Sequence, residues 1–253
     1  MYPFNDQVFI IAELSANHNN DFDLAVDTIK AMAKAGANAV KVQTYTADSL
    51  AINVDNDIFG KRKEGLWKGR TLWDLYKEAS MPYEWHEPLQ KVAQELGLVF
   101  FSSPFDVDGV AFLEQLNVPL YKIASFEITD IPLIRAVAKT GKPIIISTGV
   151  AQEADISLAL ETCHRENNHQ VTLLKCTSNY PSTLADANLK TMADMRARFD
   201  VTVGVSDHTM GSIVPITATA LGARVIEKHF ILDRSLGGPD SAFSMEPREF
   251  SDM

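Results

Sequence analysis

Cysteine is scarce in this chain: Cys163 and Cys176 are the only two among 253 residues. Two thiols cannot staple a fold of this size, so a disulfide framework is excluded and free thiols in a reducing compartment are expected. Cys163 falls in a helical stretch and Cys176 at a strand end, and both read as buried and inert. No run of about 18 apolar residues occurs, so no membrane-spanning helix is predicted. Basic residues are outnumbered, with 23 Lys and Arg against 33 Asp and Glu. The net charge of −10 argues against nucleic acid or an anionic membrane as main partner. It does not argue against a small anion, because local lysines can reverse the field inside a pocket. The opening Met1-Tyr-Pro-Phe-Asn-Asp lacks the basic and apolar regions of a signal peptide, and the expected location is the cytoplasm. Low-complexity segments are absent too.

What is present is a regular alternation. Apolar, β-rich runs occupy Val8–Glu13, Ala39–Tyr45, Val99–Pro104, Leu120–Ser125, Pro143–Gly149, Val171–Thr177, Val201–Asp207 and Arg224–Phe230. Helical patterns lie between them at Phe22–Ala35, Tyr83–Leu96, Val107–Leu116, Ile131–Lys139, Glu153–Glu166, Leu189–Phe199 and Ser212–Leu221. Strands alternating with helices indicate βαβ units and a parallel sheet, and eight units in this length indicate a closed (β/α)8 TIM barrel. Gly36, Gly97, Gly141 and Gly222 stand where helices would end in a left-handed cap. The connection from Thr46 to about Met81 is long, carries a short helix near Thr71–Glu78, and reads as a lid. Ser244 reads as the cap of an eighth helix that the chain's end at Met253 leaves truncated. The expected organisation is therefore one barrel domain over residues 1–253.

In a barrel the active site lies at the C-terminal strand ends. Those ends carry Glu13, Lys41, Gln43, Ser102, Ser103, Lys122, Ser125, Glu127, Ser147, Lys175, Thr177, Ser178, Tyr180, Ser206, His208, Glu227 and His229. Polar groups recurring at one end of all eight strands are costly to bury without a ligand. Residues i and i+2 of a strand share a face, so Ser206 pairs with His208, and Glu227 with His229. A lone strand-end histidine is more often a hydrogen-bonded core residue. Two on neighbouring strands inside a polar ring favour a divalent metal such as Mn, Fe, Co or Zn. Lys41, Lys122, Ser103, Ser125, Ser147 and Ser206 suit a phosphate and a carboxylate together. Glu13, Glu127 and Asp240 are candidates for acid–base work or for sugar hydroxyls. His18 reads either as a cap of the first helix or as part of the site. His86, His164 and His169 read as surface residues. Trp67, Trp73 and Trp85 flank the lid.

Eight segments in order, among them Ile11-Ala-Glu-Leu-Ser-Ala-Asn-His-Asn19, Val40-Lys-Val-Gln-Thr-Tyr45, Tyr121-Lys-Ile-Ala-Ser-Phe-Glu127, Cys176-Thr-Ser-Asn-Tyr-Pro181, Val205-Ser-Asp-His-Thr209 and Ile226-Glu-Lys-His-Phe230, resemble the sialic acid synthase family, within it the pseudaminate branch. The resemblance covers Ile10 to about Phe250. It implies condensation of phosphoenolpyruvate with an N-acetylated amino sugar to a nine-carbon 2-keto acid and phosphate. The sugar implied is 2,4-diacetamido-2,4,6-trideoxy-L-altrose, and the alternative products are N-acetylneuraminate or legionaminate. It implies a divalent metal, manganese before magnesium or cobalt, on His208 and His229. It assigns Lys41, Ser103, Lys122, Ser125, Ser147, Ser178 and Ser206 to phosphoenolpyruvate, although neuraminate synthases carry asparagine at the place of Ser178. Gln43, Glu127, Tyr180 and Asp240 fall around the sugar. Glu13 falls at the catalytic base, with Lys41 and Lys122 as catalytic cations. Full-length members are homodimers with a C-terminal antifreeze-like (SAF) domain, which is expected to be absent from this chain.

Two other classes stay open on the residues alone. A barrel metal hydrolase would usually carry more ligands, such as His-x-His on the first strand, which here ends on Glu13. A non-catalytic sugar- or phosphate-binding barrel would show the same ring without turnover.

Overall fold

Eight parallel strands, each hydrogen-bonded to its sequence neighbours, close into a barrel. They are β1 (Phe9–Glu13), β2 (Ala39–Thr44), β3 (Val99–Pro104), β4 (Tyr121–Ile123), β5 (Ile144–Ser147), β6 (Val171–Cys176), β7 (Thr202–Asp207) and β8 (Val225–His229). The computed structural model describes residues 7–65 and 67–253; the segment Met1–Asp6, read above for targeting signals, lies outside them. Every strand falls inside its predicted run. β4 and β5 are shorter than predicted, because Ser125–Thr129 turns into a 3-10 helix and β5 ends at Ser147. The seam closes in register, Phe9 beside Val225 through Glu13 beside His229.

The outer helices are α1 (Phe22–Lys34), α2 (Ala47–Leu50), α3 (Leu72–Ala79), α4 (His86–Glu95), α5 (Val107–Gln115), α6 (Ile131–Lys139), α7 (Glu153–Arg165), α8 (Thr191–Phe199), α9 (Ile213–Ala220) and α10 (Pro247–Asp252). Their logic is local. In α1, Ala25, Thr28, Ile29 and Met32 are buried, one stripe at helical spacing facing the sheet. The Asp21 carboxylate accepts from the Leu24 amide at 3.0 Å and caps its start, as a short side-chain oxygen does for an orphan N–H. The glycines expected to terminate helices do adopt positive φ. No helix among the described residues is long and apolar enough to cross a membrane.

Three expectations need correcting. Ser244 does not cap the last helix: Glu246 does, followed by Pro247. The Ser244 hydroxyl instead donates to the Asp240 carbonyl at 2.7 Å and accepts from Asn17 at 2.8 Å. His86 is not on the surface but fully buried, 2.8 Å from the Thr44 hydroxyl under α4. His18 caps no helix. It is buried with its ring edge-on to Trp85, and burial lowers its pKa to about 4.

Inside the barrel, Phe9, Ile11, Ala39, Phe101, Leu120, Ile145, Leu174 and Val225 form a continuous apolar plug. Moving up two residues on each strand keeps the face and changes the chemistry. Ile11 gives way to Glu13, Ala39 to Lys41, Phe101 to Ser103, Leu120 to Lys122, Ile145 to Ser147, Leu174 to Cys176, Gly204 to Ser206 and Val225 to Glu227. The plug supplies the stable floor, and the next tier is entirely polar. Gly204 is the narrow point: a Cβ there would lie 2.2 Å from the Val225 carbonyl oxygen and 2.8 Å from Leu174 Cδ2. Gly204→Ala should therefore overpack the lumen and cost about 2–3 kcal/mol, read as a lower urea midpoint with unchanged slope. An unchanged midpoint would contradict this packing.

Candidate active site

The polar tier comprises Glu13, Lys41, Ser103, Lys122, Ser147, Cys176, Ser206 and Glu227, none more than 6% exposed. Its two ammonium and two carboxylate groups cancel formally. Lys41 Nζ lies 2.6 Å from Glu13 Oε2, 3.9 Å from Glu227 Oε2 and 3.4 Å from Ser103 Oγ. Lys122 Nζ donates to Ser147 Oγ at 2.7 Å and to the Ile123 carbonyl at 3.2 Å, and lies 3.7 Å from Glu227 Oε1. Ser206 Oγ donates to Glu227 Oε1 at 2.8 Å. Glu227 thus stands between both lysines. Sequence reasoning placed it at a strand end and gave it no role, because its partners come from β2 and β4 across the lumen.

The charges bias one another. Burial raises Glu13 to about 7 against the opposing pull of Lys41, and the Glu227 carboxylate raises it further. Glu227 is equally buried, yet Lys122 and Lys41 outweigh burial and hold it below the ordinary range. Two carboxylates competing for shared cations ionise in sequence, Glu227 first. Burial works against the charge of Lys41, but Glu13 and Glu227 overcome it and raise its pKa. For Lys122 burial prevails and lowers it. A base poised near neutrality beside a fixed counter-ion is the pattern that acid–base chemistry needs.

Above this tier Ser125, Gly149 and Ser178 converge. A Cβ on Gly149 would sit 2.2 Å from Ser178 Oγ, 2.9 Å from Ser125 Oγ and 3.3 Å from Cys176 Cβ. The Gly149 N–H donates to Ser125 Oγ at 3.1 Å. Glycine is therefore what lets the two hydroxyls converge, and Ser178 belongs to this cradle by position. Cys176 is buried, as expected, but its surroundings oppose the effect of burial on the thiol. Burial alone would raise its thiol, but His208, Ser125 and Lys122 together bring it down to about 7. Cys163 meets the expectation, buried in α7 with its thiol pushed up to about 12. Lys175, one residue before Cys176, faces outward and reaches the Asp186 carbonyl at 3.2 Å.

The two histidines come together as predicted, with ring centroids 5.3 Å apart. His208 Nδ1 lies 3.0 Å from the Thr177 carbonyl, which places a proton on Nδ1 and leaves Nε2 as the atom a metal would take. Burial works against the ring's charge, but Cys176, the Thr177 carbonyl and Glu227 outweigh it and raise its pKa. His229 Nδ1 is buried without a hydrogen-bond partner. Burial, followed by nearby His208 and the lysines, holds that ring well below the ordinary histidine pKa and so unprotonated. A buried bare imidazole nitrogen beside a second oriented imidazole fits a divalent ion of the Mn–Zn series. Among the described residues no three His, Cys, Asp or Glu side chains are arranged to hold a metal, so other coordination positions would fall to water or substrate.

Gln43, Asp240 and Tyr180 border the histidines. Gln43 Nε2 donates to Glu13 Oε1 at 3.1 Å and to Ser15 Oγ at 3.2 Å. Ser15 Oγ donates to Asp240 Oδ2, which lies 3.9 Å from His229 Nδ1. Ser15 was missed, since it lies on a loop with φ of 47°, where strand parity gives no guide. The Tyr180 ring is 4.4 Å from His208, and the lid's Trp67 is 6.4 Å from Tyr180, its Nε1 donating to the Pro239 carbonyl at 3.3 Å. The long connection thus lies over the mouth, as a lid would. Glu127 stands on the other side, raised to about 7 by burial, with Lys122 opposing.

The profile of the NeuB family matches residues 28–253. Pseudaminic acid synthase of Helicobacter pylori is 50% identical over 244 residues, covering 96% of this chain and 72% of that protein. The synthase of the same name from Campylobacter jejuni is 49% identical over 247 residues, covering 98% of this chain and 72% of that protein. The crystal structure of N-acetylneuraminic acid synthetase from Leptospira borgpetersenii in complex with citrate superposes with a TM-score of 0.86 at 35% identity, covering 97% of this chain and 81% of that one.

The poised carboxylate can be tested directly. Followed by 13C NMR, Glu13 should titrate near pH 7. Lys41→Met should move it higher, because removing a neighbouring cation disfavours the charged form. A wild-type midpoint in the ordinary range of about 4 would contradict the arrangement.

Proposed function

The chain belongs to the NeuB family, and we propose that it condenses phosphoenolpyruvate with 2,4-diacetamido-2,4,6-trideoxy-L-altrose to give pseudaminic acid and phosphate. The observation that carries this reading is the convergence of two buried ammonium groups and a set of serine hydroxyls beside two adjacent imidazoles, of which His229 is held unprotonated. Such a site takes a small polyanion and a carbonyl compound together. The higher identity to pseudaminic acid synthases than to the neuraminic acid synthetase supports the choice of sugar. His208 and His229 would hold the metal, which we take to be manganese. When bound, it supplies Lewis acidity toward the aldehyde oxygen of the open-chain sugar.

The chain's own groups do the remaining work. Lys41 and Lys122 offset the phosphate and carboxylate charges, while Ser103, Ser125, Ser147, Ser178 and Ser206 supply short donors that fix the ligand's orientation. Gln43, Glu127, Tyr180 and Asp240 orient the sugar so that its aldehyde carbon faces C3 of phosphoenolpyruvate. A C–C bond forms between them, and C2 gains cationic character beside Glu227 and Glu13. Glu13 takes a proton from the water that adds at C2. The tetrahedral product then expels phosphate by C–O cleavage, its C2 hydroxyl proton passing to the departing phosphate, which leaves the ketone and hydrogen phosphate. The former aldehyde oxygen takes up the proton that water gave, so no further reactant is needed. A buried thiol beside His208 suits the reducing cytoplasm, where we place the reaction.

Phosphate release from phosphoenolpyruvate across a panel of acetamido sugars, with and without Mn2+, tests this reading. The 2,4-diacetamido-trideoxy hexose should be preferred over N-acetylmannosamine; the reverse preference would overturn the sugar assignment. Absence of release with every sugar would leave the non-catalytic binding barrel. His208→Ala should lose metal-dependent turnover, and full activity without metal in that variant would sink the histidine assignment. Gly149→Ala should fill the serine cradle and raise the KM for phosphoenolpyruvate about tenfold, roughly 1.4 kcal/mol of binding. An unchanged KM would remove the cradle from the substrate's path.

A further inference from the structure

We propose that Asp207 and Lys228 form a buried clamp that sets the positions of His208 and His229. Both are positioning residues that never touch substrate. The proposal rests on the reading of the two histidines as metal ligands. In Ser206-Asp207-His208 and in Glu227-Lys228-His229 the outer two residues face the lumen, so the central one points away from it. These two outward residues are register partners on the last rung between β7 and β8. Lys228 Nζ lies 2.7 Å from Asp207 Oδ2, and their side chains are 0% and 3% exposed. The ammonium also donates to the carbonyls of Thr209 at 2.5 Å and Gly211 at 3.3 Å. Asp207 in turn accepts from the Thr209 amide at 3.0 Å and from its hydroxyl at 3.0 Å. One side chain from β8 thereby ties down three residues around His208.

Only a small gap of about 10 Å³ lies behind His208, with Lys175, Thr177, Ser182, Asp207 and Thr209 in its walls. Directed hydrogen bonds fix the loop on both sides of it. Ser182 N–H to the His208 carbonyl at 3.1 Å and Thr177 at His208 Nδ1 brace one side, and the Asp207–Lys228 pair braces the other. A buried ion pair is seldom more stabilising than apolar residues of the same volume. Its presence here is better explained by geometry, because imidazoles serving one ion must be held within about 0.5 Å of their productive positions. Outer partners of metal ligands commonly change metal affinity 10–100-fold (order of magnitude).

The test is Mn2+ binding by the whole chain, read from the electron paramagnetic resonance signal of free Mn2+, beside melting curves and phosphoenolpyruvate kinetics at saturating Mn2+. The double variant Asp207→Asn/Lys228→Met leaves no lone buried charge. It should melt near the wild type yet bind Mn2+ roughly 10–100-fold more weakly, with its KM for phosphoenolpyruvate little changed. Thr209→Val keeps both charges and should weaken Mn2+ by a few-fold. Wild-type Mn2+ affinity in either variant, alongside lost binding in His208→Ala, would overturn the clamp and leave the metal assignment intact. Wild-type affinity in His208→Ala would overturn the metal assignment and the clamp with it.

Discussion

Two ammonium groups buried in the barrel lumen set the terms for everything above the apolar plug. An ion taken from water without a partner costs several kcal/mol. Lys41 and Lys122 avoid this cost by sharing Glu227, with Glu13 closing on Lys41 at 2.6 Å. The resulting ring is formally neutral when empty, and it is assembled from four strands. Only a closed barrel brings β1, β2, β4 and β8 to one point. The fold and the charge arrangement therefore depend on each other.

That ring also explains how an acidic protein can receive a polyanion. The net charge of −10 lies elsewhere on the molecule, while the lumen offers two cations whose counter-ions differ in affinity for protons. Glu13 is raised and Glu227 is lowered. An arriving polyanion can displace the weaker carboxylate from Lys41 without exposing a bare charge to the interior. Short hydroxyls fill the remaining positions because larger side chains would occupy the ligand's volume. Gly149 carries that economy of space furthest, leaving room for Ser125 and Ser178 to meet. The histidines sit one step higher, side by side, where a carbonyl compound can reach the same pocket.

Much of this was legible in the sequence, and the reason is periodicity. Parallel strands covered on both faces appear as apolar runs, and a parity of two then sorts their last residues into inward and outward sets. Lys41, Lys122, Ser103, Ser147 and Ser206 were found from their places at the strand ends, and parity paired His208 with Ser206 and His229 with Glu227. Parity applied more strictly would also have set aside Lys175, which neighbours the inward Leu174 and Cys176. What could not be read depended on closure or on loops. Glu227 gains its meaning from lysines two and four strands away around the barrel. Ser15 and Asp240 meet across the β1–β8 seam from two loops that obey no period. His86 looked like a surface residue, because only the folded barrel brings α4 over the Thr44 hydroxyl.

The central claim is that one pocket holds a polyanion on Lys41 and Lys122 and a metal on His208 and His229. A crystal structure of the chain grown with phosphoenolpyruvate and Mn2+, with anomalous data collected at the manganese edge, addresses it most directly. The account predicts one strong anomalous peak within bonding distance of both imidazoles and phosphate density against the lysine ammonium groups. Density for the anion outside the strand-end ring, or a manganese peak away from both histidines, would contradict it.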